Sequence, residues 1–494
     1  MSETAAVDPD RDEWDVIVLG GAAAGENAAL YATQFSGLDA VLVEAGLLGG
    51  ECSYWACMPS KGLLRPVEVA ASARDLPGVS ARMDVAAVLA RRDTIVNHLD
   101  DASQIKWALG AGIDVVRGYG RLTGPRAVTV TRPDGSVRRL TAREAVVVDT
   151  GSAPAVPPVP GLAEALPWTS QDVTNLHEVP ARVVILGGGV VACEAATWLR
   201  GLGVAELTLV YRGEGLLPGQ EPFAGELVAE RLRRDGVRLC PGRTIARVDR
   251  ENPRDTGKGW THGGEVTVRL DDGTVVAADE IVVAAGRVPN TGDLGLDSVG
   301  VPGGGFLEVD EFQAVRGVDG EWLYAIGDVC GRALLTHMGK YQARVAGEAI
   351  AARARGRKPE VSAEPGHRAV PQVTFTDPEV GSAGLTERRA RAAGIEVETV
   401  EYDLAGLAGT YVLREDYRGR AKLVLDKESD TIVGATFVGA GIAELVHSAT
   451  VAIVGRIPVA ALWHAVPSYP TVSEAWLRLL ETLNTARHQR NQGA

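Results

Sequence analysis

Cys52 and Cys57, set five positions apart, are the side chains of this sequence best suited to redox chemistry. They lie in the segment GGECSYWACMPSK. A regular helix would separate such residues by about 7.5 Å along its axis, which is more than a disulfide bond tolerates between Cα atoms. A bond between them therefore requires a distorted helix start, which Gly49 and Gly50 would help to shape. The alternatives are two buried free thiols or half of a metal site.

The other cysteines do not suggest a disulfide framework, because Cys193, Cys240 and Cys330 are scattered through 494 residues. The N-terminal sequence MSETAAVDPDRDE has no basic or apolar leader segment. We therefore expect a cytoplasmic protein, in which a cysteine pair is more often catalytic than structural.

Composition excludes several functional classes. The hydrophobic content of 46% is ample for packed cores, and the length favours three or four domains. A net charge of −14 disfavours binding to nucleic acid or to an anionic membrane surface. The most apolar long window, 446–466, contains two histidines, an arginine and a proline, so no membrane-spanning helix is expected.

Residues 15–44 have the pattern of a strand, a tight turn, a helix and a second strand, which is typical of dinucleotide binding. Gly20 and Gly25 occupy the outer glycine positions of the turn, and Ala22 occupies the middle one, where its methyl group is expected to move a pyrophosphate slightly outward. The phosphates would lie at the helix N-terminus. Glu44 ends the second strand, where an acid binds ribose hydroxyls.

A second unit of the same kind begins at residue 182, so two nucleotide sites are predicted. Its loop contains Gly187, Gly189 and Ala192. Arg212 stands at the end of the second strand, where an NAD-selective site would carry an acid. Because arginine can pair with a 2′-phosphate, NADPH is favoured and NADH remains possible. The alternative is a solvated surface arginine, since Glu214 lies nearby.

These motifs, in the order GGECSYWACMPSK, VVDTGS, GGGVVACE, AAGRVPN, LYAIGD and YPTVSE, resemble those of the flavoprotein pyridine nucleotide-disulfide oxidoreductases. The resemblance covers about residues 13–480. It implies an α/β fold with two Rossmann-like domains, for FAD and for NAD(P)H, and a C-terminal α+β dimerisation domain. The domains would be a disordered tail (1–12), the FAD domain (13–160 and 286–356), the NAD(P)H domain (161–285), a linker (357–368), the dimerisation domain (369–482) and a tail (483–494).

The resemblance also implies roles for individual residues. Cys57 would lie against the flavin as the charge-transfer thiolate, and Cys52 would exchange with substrate. Lys61 would pair with Glu194 near the flavin, although Lys61 could instead be a solvated surface lysine and Glu194 an ordinary helix residue. Further cofactor contacts are implied for Gly50, Gly120, Thr150, Gly151, Asp328 and Gly286.

One position departs from the family. Most disulfide-reducing members have a histidine, contributed by the partner subunit and oriented by a glutamate, where this sequence has Tyr469 and Glu474. A phenol, with a pKa of about 10 against about 6.5 for imidazole, is a poor base near neutral pH. This argues against a lipoamide dehydrogenase role. Mercuric reductases share the tyrosine, but their C-terminal cysteine pair is missing here. His447 and His464 could substitute, or they could be packing or surface residues.

The sequence thus predicts a homodimeric FAD enzyme that uses NADPH to reduce a small disulfide through Cys52, Cys57 and Tyr469 of the other subunit. A second hypothesis is reduction of quinones or metal ions, for which no histidine is required. A third is a redox sensor that retains FAD but turns over little. No resident metal is expected.

Overall fold

The structure, a computed structural model, describes residues 11–492. Residues of the chain form two compact units. The first comprises the chain up to Pro59 together with Asp93–Pro154 and Arg287–His367. The second comprises Ser60–Arg92, Ala155–Gly286 and the chain from Arg368 onward.

The first unit is built on a seven-stranded sheet in the order β3-β2-β1-β6-β5-β4, with β16 pairing with β6. Its elements are β1 (Glu13–Leu19), α1 (Ala23–Thr33), β2 (Ala40–Glu44), α2 (Gly50–Tyr54), the start of α3 (Cys57–Arg74), the end of α4 (Val85–Ile95), α5 (Ala102–Gly110), β3 (Ile113–Arg117), β4 (Tyr119–Gly124), β5 (Ala127–Thr131), β6 (Val137–Val148), β7 (Ser152–Pro154), β15 (Arg287–Pro289), β16 (Leu323–Ala325), α9 (Thr336–Arg353) and α10 (Glu364–Arg368), with 3₁₀ turns at Asn97–Leu99, Leu296–Val299 and Gly327–Cys330.

Helices α1 and α9 pack closely because small residues line both. The contact includes buried Ala28 and Ala32 of α1 and Ala343 and Ala346 of α9. A Cβ added to Gly347 would lie 2.6 Å from Tyr31 Cβ. This packing fixes the N-terminal ends of two helices beside the carboxyl ends of the parallel strands, where ligands of such sheets bind.

The second unit contains a parallel sheet (β10-β9-β8-β14), an antiparallel sheet (β11-β12-β13) and a five-stranded antiparallel sheet (β17-β18-β21-β20-β19). The elements of the nucleotide-binding part are α6 (Ser170–Thr174), β8 (Arg182–Leu186), α7 (Val190–Leu202), β9 (Glu206–Tyr211), α8 (Pro222–Arg234), β10 (Arg238–Pro241), β11 (Ile245–Arg250), β12 (Val266–Leu270), β13 (Val275–Ala278) and β14 (Glu280–Val283). Those of the C-terminal part are β17 (Pro371–Thr374), β18 (Glu379–Gly384), α11 (Glu387–Ala392), β19 (Val397–Asp403), a turn at Leu404–Gly406, α12 (Ala408–Leu413), β20 (Arg420–Asp426), β21 (Thr431–Gly439), α13 (Leu445–Val454), α14 (Val459–Leu462) and α15 (Glu474–Gln492).

The predicted α/β fold class is confirmed, with both strand-turn-helix-strand units present as β1-α1-β2 and β8-α7-β9. No helix among residues 11–492 is long and apolar enough to cross a membrane.

The predicted domain boundaries stay a prediction, and the structure describes parts of three predicted segments. Most of the predicted tail 1–12 lies outside the described residues, and Asp12 pairs with Arg138 at 2.7 Å. The predicted linker 357–368 contains α10. Residues 483–492 of the predicted C-terminal tail belong to α15, where Arg487 and Arg490 pair with buried Glu398.

Candidate redox active site

The two cysteines lie on separate short helices with a break between them. Cys52 belongs to α2, whose C-cap Trp55 has φ −129° and ψ −5°, and Cys57 begins α3. Gly49 and Gly50 enter α2 with φ of 108° and 65°, in the left-handed region that favours glycine. The segment therefore has the distorted helix start that a bond between the two cysteines would require. Both cysteines are partly buried free thiols.

The thiols interact with each other and with the N-terminal end of α9. Cys57 Sγ lies 3.4 Å from Thr336 Oγ1. A hydrogen bond with Cys57, together with burial, raises the pKa of Cys52, whereas the Thr336 hydroxyl and the Lys340 ammonium lower it. Since the raising effects dominate, Cys52 is a protonated thiol near neutral pH, and its thiolate requires further stabilisation to act as a nucleophile.

The first nucleotide loop requires its glycines for steric reasons. A Cβ on Gly20 would lie 2.1 Å from the carbonyl oxygen of Asp149, and one on Gly25 would lie 2.1 Å from that of Gly20. The amides in the first turn of α1 have no intrahelical acceptor, and N-cap Ala22 supplies no side-chain cap. The methyl group of Ala22 lies beside Gly50, where a side chain would overlap it at 2.5 Å.

Acidic side chains surround this loop. Glu44 accepts hydrogen bonds from the amides of Gly21 at 2.7 Å and Gly46 at 2.6 Å. Asp328 accepts a hydrogen bond from Ser152 Oγ. Burial raises the pKa of Glu26, in the first turn of α1, to about 7.

The remaining residues assigned to the first site lie in the same unit. Thr150 Oγ1 donates to the carbonyl oxygen of Asn290 at 2.8 Å, and the Asn290 amide donates to the carbonyl oxygen of Gly151 at 3.0 Å. These hydrogen bonds join the motifs VVDTGS and AAGRVPN. The open space around Gly151 leaves room for a ligand, since nothing lies within 4 Å of an added Cβ. Gly120 lies in β4, where an added Cβ would be 2.7 Å from Leu19.

The second nucleotide loop opens α7 in the second unit. Gly187 has φ of 147°, and a Cβ there would lie 2.3 Å from the carbonyl oxygen of Ala284. Gly189 is the N-cap of α7 and has open space around it, while Ala192 is fully buried. Gly286 also borders open space. The close turn and the open helix start match what a bound pyrophosphate requires.

Arg212 follows β9, and its side chain is exposed. The structure brings Arg243 to the same strand end, because its amide donates to the carbonyl of Tyr211 at 3.1 Å. The charge of Arg233 also acts on Tyr211. Sequence spacing could not reveal this basic cluster, because Arg243 follows β10, which pairs with β9.

Lys61 and Glu194 form an ion pair of 2.8 Å, as expected from the resemblance. The Glu194 side chain is 5% exposed, and its second oxygen accepts the amide of Phe375 at 2.9 Å. Lys61 Nζ lies 4.9 Å from the centroid of the Phe375 ring. The buried carboxylate therefore orients the lysine, whose own side chain is 35% exposed.

Comparison with known proteins identifies the family. The model of the pyridine nucleotide-disulphide oxidoreductases matches residues 14–354, and that of their dimerisation domain matches residues 370–480. The chain belongs to the pyridine nucleotide-disulphide oxidoreductase family. It is 32% identical to a dihydrolipoyl dehydrogenase of Chlorobaculum tepidum, covering 94% of this chain and 95% of the relative.

Other relatives include a mercuric reductase of Staphylococcus aureus, 29% identical over 95% of this chain and 82% of the relative. A glutathione reductase of Burkholderia cepacia is 29% identical over 94% of this chain and 98% of the relative. The HOCl-induced flavoprotein disulfide reductase RclA of Escherichia coli, in its Cu(II) complex, has the same fold, with a TM-score of 0.81 at 22% identity over 95% of this chain and 99% of that one.

The protein is accordingly an FAD-dependent oxidoreductase of this family, whose members bind FAD and NAD(P)H. The loop of Gly20 and Gly25 fits FAD by two observations: added Cβ atoms would fill the turn, and one buried carboxylate oxygen of the half-buried Glu26 has no hydrogen-bond partner among residues 11–492. Glu44, Thr150, Gly151 and Asp328 border the same loop.

The match to the dimerisation domain supports a homodimer. Exposed apolar side chains are frequent in this part of the chain, as a subunit interface requires. They are Tyr411, Val412, Leu413, Val451, Val454, Trp463, Val466 and Tyr469.

Tyr469 is 74% exposed, so its phenol is free to face another subunit. Glu474 is buried in the first turn of α15, with one oxygen bound to Arg478 at 2.8 Å. Its other oxygen has no hydrogen-bond partner in the described part of the chain, which leaves an acceptor five residues after the tyrosine. His447 and His464 are both exposed.

Two residues of the first unit that sequence reasoning did not single out lie at the site. Thr336 contacts Cys57, and Asp149 hydrogen-bonds Gly25. In the sequence, Thr336 lies at the start of a helix-forming stretch after the motif LYAIGD, and this position could have indicated it. Asp149 is the acid within the motif VVDTGS, and nothing else in the sequence indicates it.

Proposed function

We propose that this enzyme uses NADPH to reduce a small disulfide through Cys52 and Cys57, with Tyr469 of the partner subunit as the proton donor. The observation that carries the proposal is the contact between the two thiols at the break between α2 and α3. A dithiol so arranged can form and break a disulfide with little backbone movement.

The thiol steps balance without a further reactant. The Cys52 thiolate attacks one sulfur of the substrate, forming a mixed disulfide and releasing the first thiolate. The Cys57 thiolate then attacks Cys52 Sγ, which releases the second thiol and leaves the Cys52–Cys57 disulfide. FAD, when bound, supplies the two-electron transfer from NADPH that returns the cysteines to the dithiol.

A tyrosine suits the reductive direction. A departing thiolate, with a thiol pKa of about 8.5 in free cysteine, takes a proton, and a phenol with a pKa of about 10 can donate a hydrogen bond or a proton to it. Two observations support this role. Tyr469 is exposed and can therefore reach another subunit. One oxygen of Glu474 has no hydrogen-bond partner within residues 11–492 and can therefore accept a hydrogen bond.

The preference for NADPH over NADH is supported by the basic end of β9. Arg212 forms no ion pair within residues 11–492 and can turn its guanidinium to a 2′-phosphate. Arg243, beside it, is partly neutralised by Asp272 at 3.2 Å. We also propose a cytoplasmic location, which agrees with five free cysteines.

A second candidate is reduction of quinones or metal ions, favoured by the tyrosine at position 469, because these acceptors require no base to activate an exchange thiol. The last cysteine of the chain is Cys330, so no C-terminal cysteine pair could deliver a metal ion.

The test measures NADPH oxidation with disulfides, quinones and Hg(II) as acceptors, with NADH in parallel. We expect Cys52→Ser and Cys57→Ser to abolish disulfide reduction while quinone turnover persists. Cys240→Ser, a buried thiol in β10, is the matched control and should leave both activities unchanged. Disulfide reduction retained in Cys52→Ser would contradict the proposal, and quinone turnover alone would favour the second candidate.

A further inference from the structure

Asp149 is a buried carboxyl group in the FAD loop that the proposed thiol chemistry does not use. It follows the last residue of β6 and is 4% exposed. Its Oδ2 accepts the amide of Gly25 at 2.5 Å. This amide belongs to the first turn of α1, whose free N–H groups are what a dinucleotide loop offers to a pyrophosphate.

Three glycines enclose this carboxyl group. A Cβ on Gly327 would lie 2.7 Å from Asp149 Oδ1, and a Cβ on Gly25 would lie 3.0 Å from Oδ2. A Cβ on Gly20 would lie 2.1 Å from the main-chain carbonyl oxygen of Asp149. The carboxyl group therefore cannot rotate out to solvent, and any negative charge on it stays inside the loop.

The charged groups that face Asp149 from the surrounding elements are mainly acids. They are Glu26 of α1, Glu44 of β2 and Asp328 of the turn Gly327–Cys330. The Cys330 thiol of the same turn also interacts with it. The basic groups nearby interact with these neighbours of Asp149. Arg287 lies 3.6 Å from Asp328. The charge of Lys340 lowers the pKa of Glu26, and that of Arg332 lowers the pKa of Cys330.

Burial is the main reason that the pKa of Asp149 lies well above its usual range. The hydrogen bond from Gly25 opposes this shift, and the three neighbouring acids reinforce it. The pyrophosphate of FAD would add further negative charge to the same loop. Both the geometry and the charges thus disfavour a carboxylate at this position when the cofactor is present.

We propose that Asp149 is a positioning residue of the FAD site that must carry a proton for the cofactor to bind tightly. A neutral carboxyl group keeps the hydrogen bond from Gly25 without placing another charge beside the phosphates. FAD binding then takes up a proton whenever Asp149 is ionised in the free protein. This inference does not depend on the substrate of the enzyme.

The sign of the pH dependence follows directly. Below the raised pKa, Asp149 is already protonated and FAD affinity is independent of its ionisation. Above it, each further pH unit weakens binding by up to about tenfold, because one proton must be taken up.

The experiment follows FAD release from the full-length holoenzyme by flavin fluorescence across a pH series, which gives Kd at each pH. We expect the Kd of the wild type to rise with pH and that of Asp149→Asn to stay level, since the amide is neutral at every pH and can still accept from Gly25. Glu379→Gln is the matched control, because burial also raises the pKa of this carboxyl group, which lies in β18 of the second unit and not in the FAD loop. It should retain the wild-type slope.

Calorimetry on the wild type provides a second measurement that needs no variant. FAD binding in two buffers of different ionisation enthalpy at alkaline pH should show uptake of close to one proton. A wild-type Kd that is level with pH, an Asp149→Asn variant with the wild-type slope, a slope that disappears in Glu379→Gln, or binding without proton uptake would each overturn the inference.

Discussion

Under the proposed preference for NADPH, replacing Arg212 with glutamine should leave the enzyme only weakly selective between NADPH and NADH. The side chain is exposed and follows β9, where the ribose of the adenosine half of the nucleotide is expected. Glutamine retains a similar length and a hydrogen-bond donor, so the substitution removes mainly the charge.

Two independent arguments give the size of the effect. A phosphate group with about two negative charges at about 4 Å from a guanidinium gains about 2 kcal/mol in a water-like dielectric. A hydrogen bond to a charged group contributes about 1.5–3 kcal/mol. About 2 kcal/mol corresponds to about a 30-fold loss of kcat/KM for NADPH. NADH has no 2′-phosphate, so its kcat/KM should be unchanged.

The assay is steady-state NADPH and NADH oxidation at several salt concentrations. Salt should raise KM for NADPH in the wild type more than in Arg212→Gln, because the Debye length is about 8 Å at 0.15 M. Arg243→Gln is the matched control, and we expect only about a threefold loss because Asp272 already neutralises part of its charge. Equal losses for both nucleotides in Arg212→Gln would refute the reasoning, since a structural role would not distinguish them.

Three further outcomes are expected. Gly25→Ala should yield protein lacking bound FAD, read from the ratio of absorbance at about 450 and 280 nm, since its Cβ would lie 2.1 Å from the carbonyl oxygen of Gly20; a full flavin content would contradict this. Tyr469→Phe should lower kcat for disulfide reduction by about 10²-fold or more without changing quinone turnover, and an equal loss for both would indicate a structural role. In the reduced enzyme, alkylation of Cys52 should keep accelerating as pH rises above 8.5, because its pKa is raised, and should be slower in Lys340→Gln; a plateau near neutral pH would contradict the assignment.

Local patterns predicted the parts of the site that depend on consecutive residues. The hydrophobic strands and glycine spacing were sufficient for β1-α1-β2 and β8-α7-β9, since Gly20, Gly25 and Gly187 are each required by atoms of their own unit. The pairing of Lys61 with Glu194, across 133 positions, could be expected only through the resemblance to the family.

The remainder depends on contacts between distant segments. Asp149 appears in the sequence as one acid in a strand-to-glycine motif, and its burial becomes visible only when α1 and the turn Gly327–Cys330 enclose it. Arg243 reaches the end of β9 through strand pairing rather than sequence proximity.

The way Glu194 is held affects how freely the neighbouring sequence can vary. Its second oxygen is bound by the main-chain nitrogen of Phe375 rather than by a side chain. Every amino acid except proline offers that donor. Homologous enzymes can therefore exchange the aromatic ring for other groups, which would alter the surroundings of the Lys61 ammonium while the direction of the carboxylate is preserved.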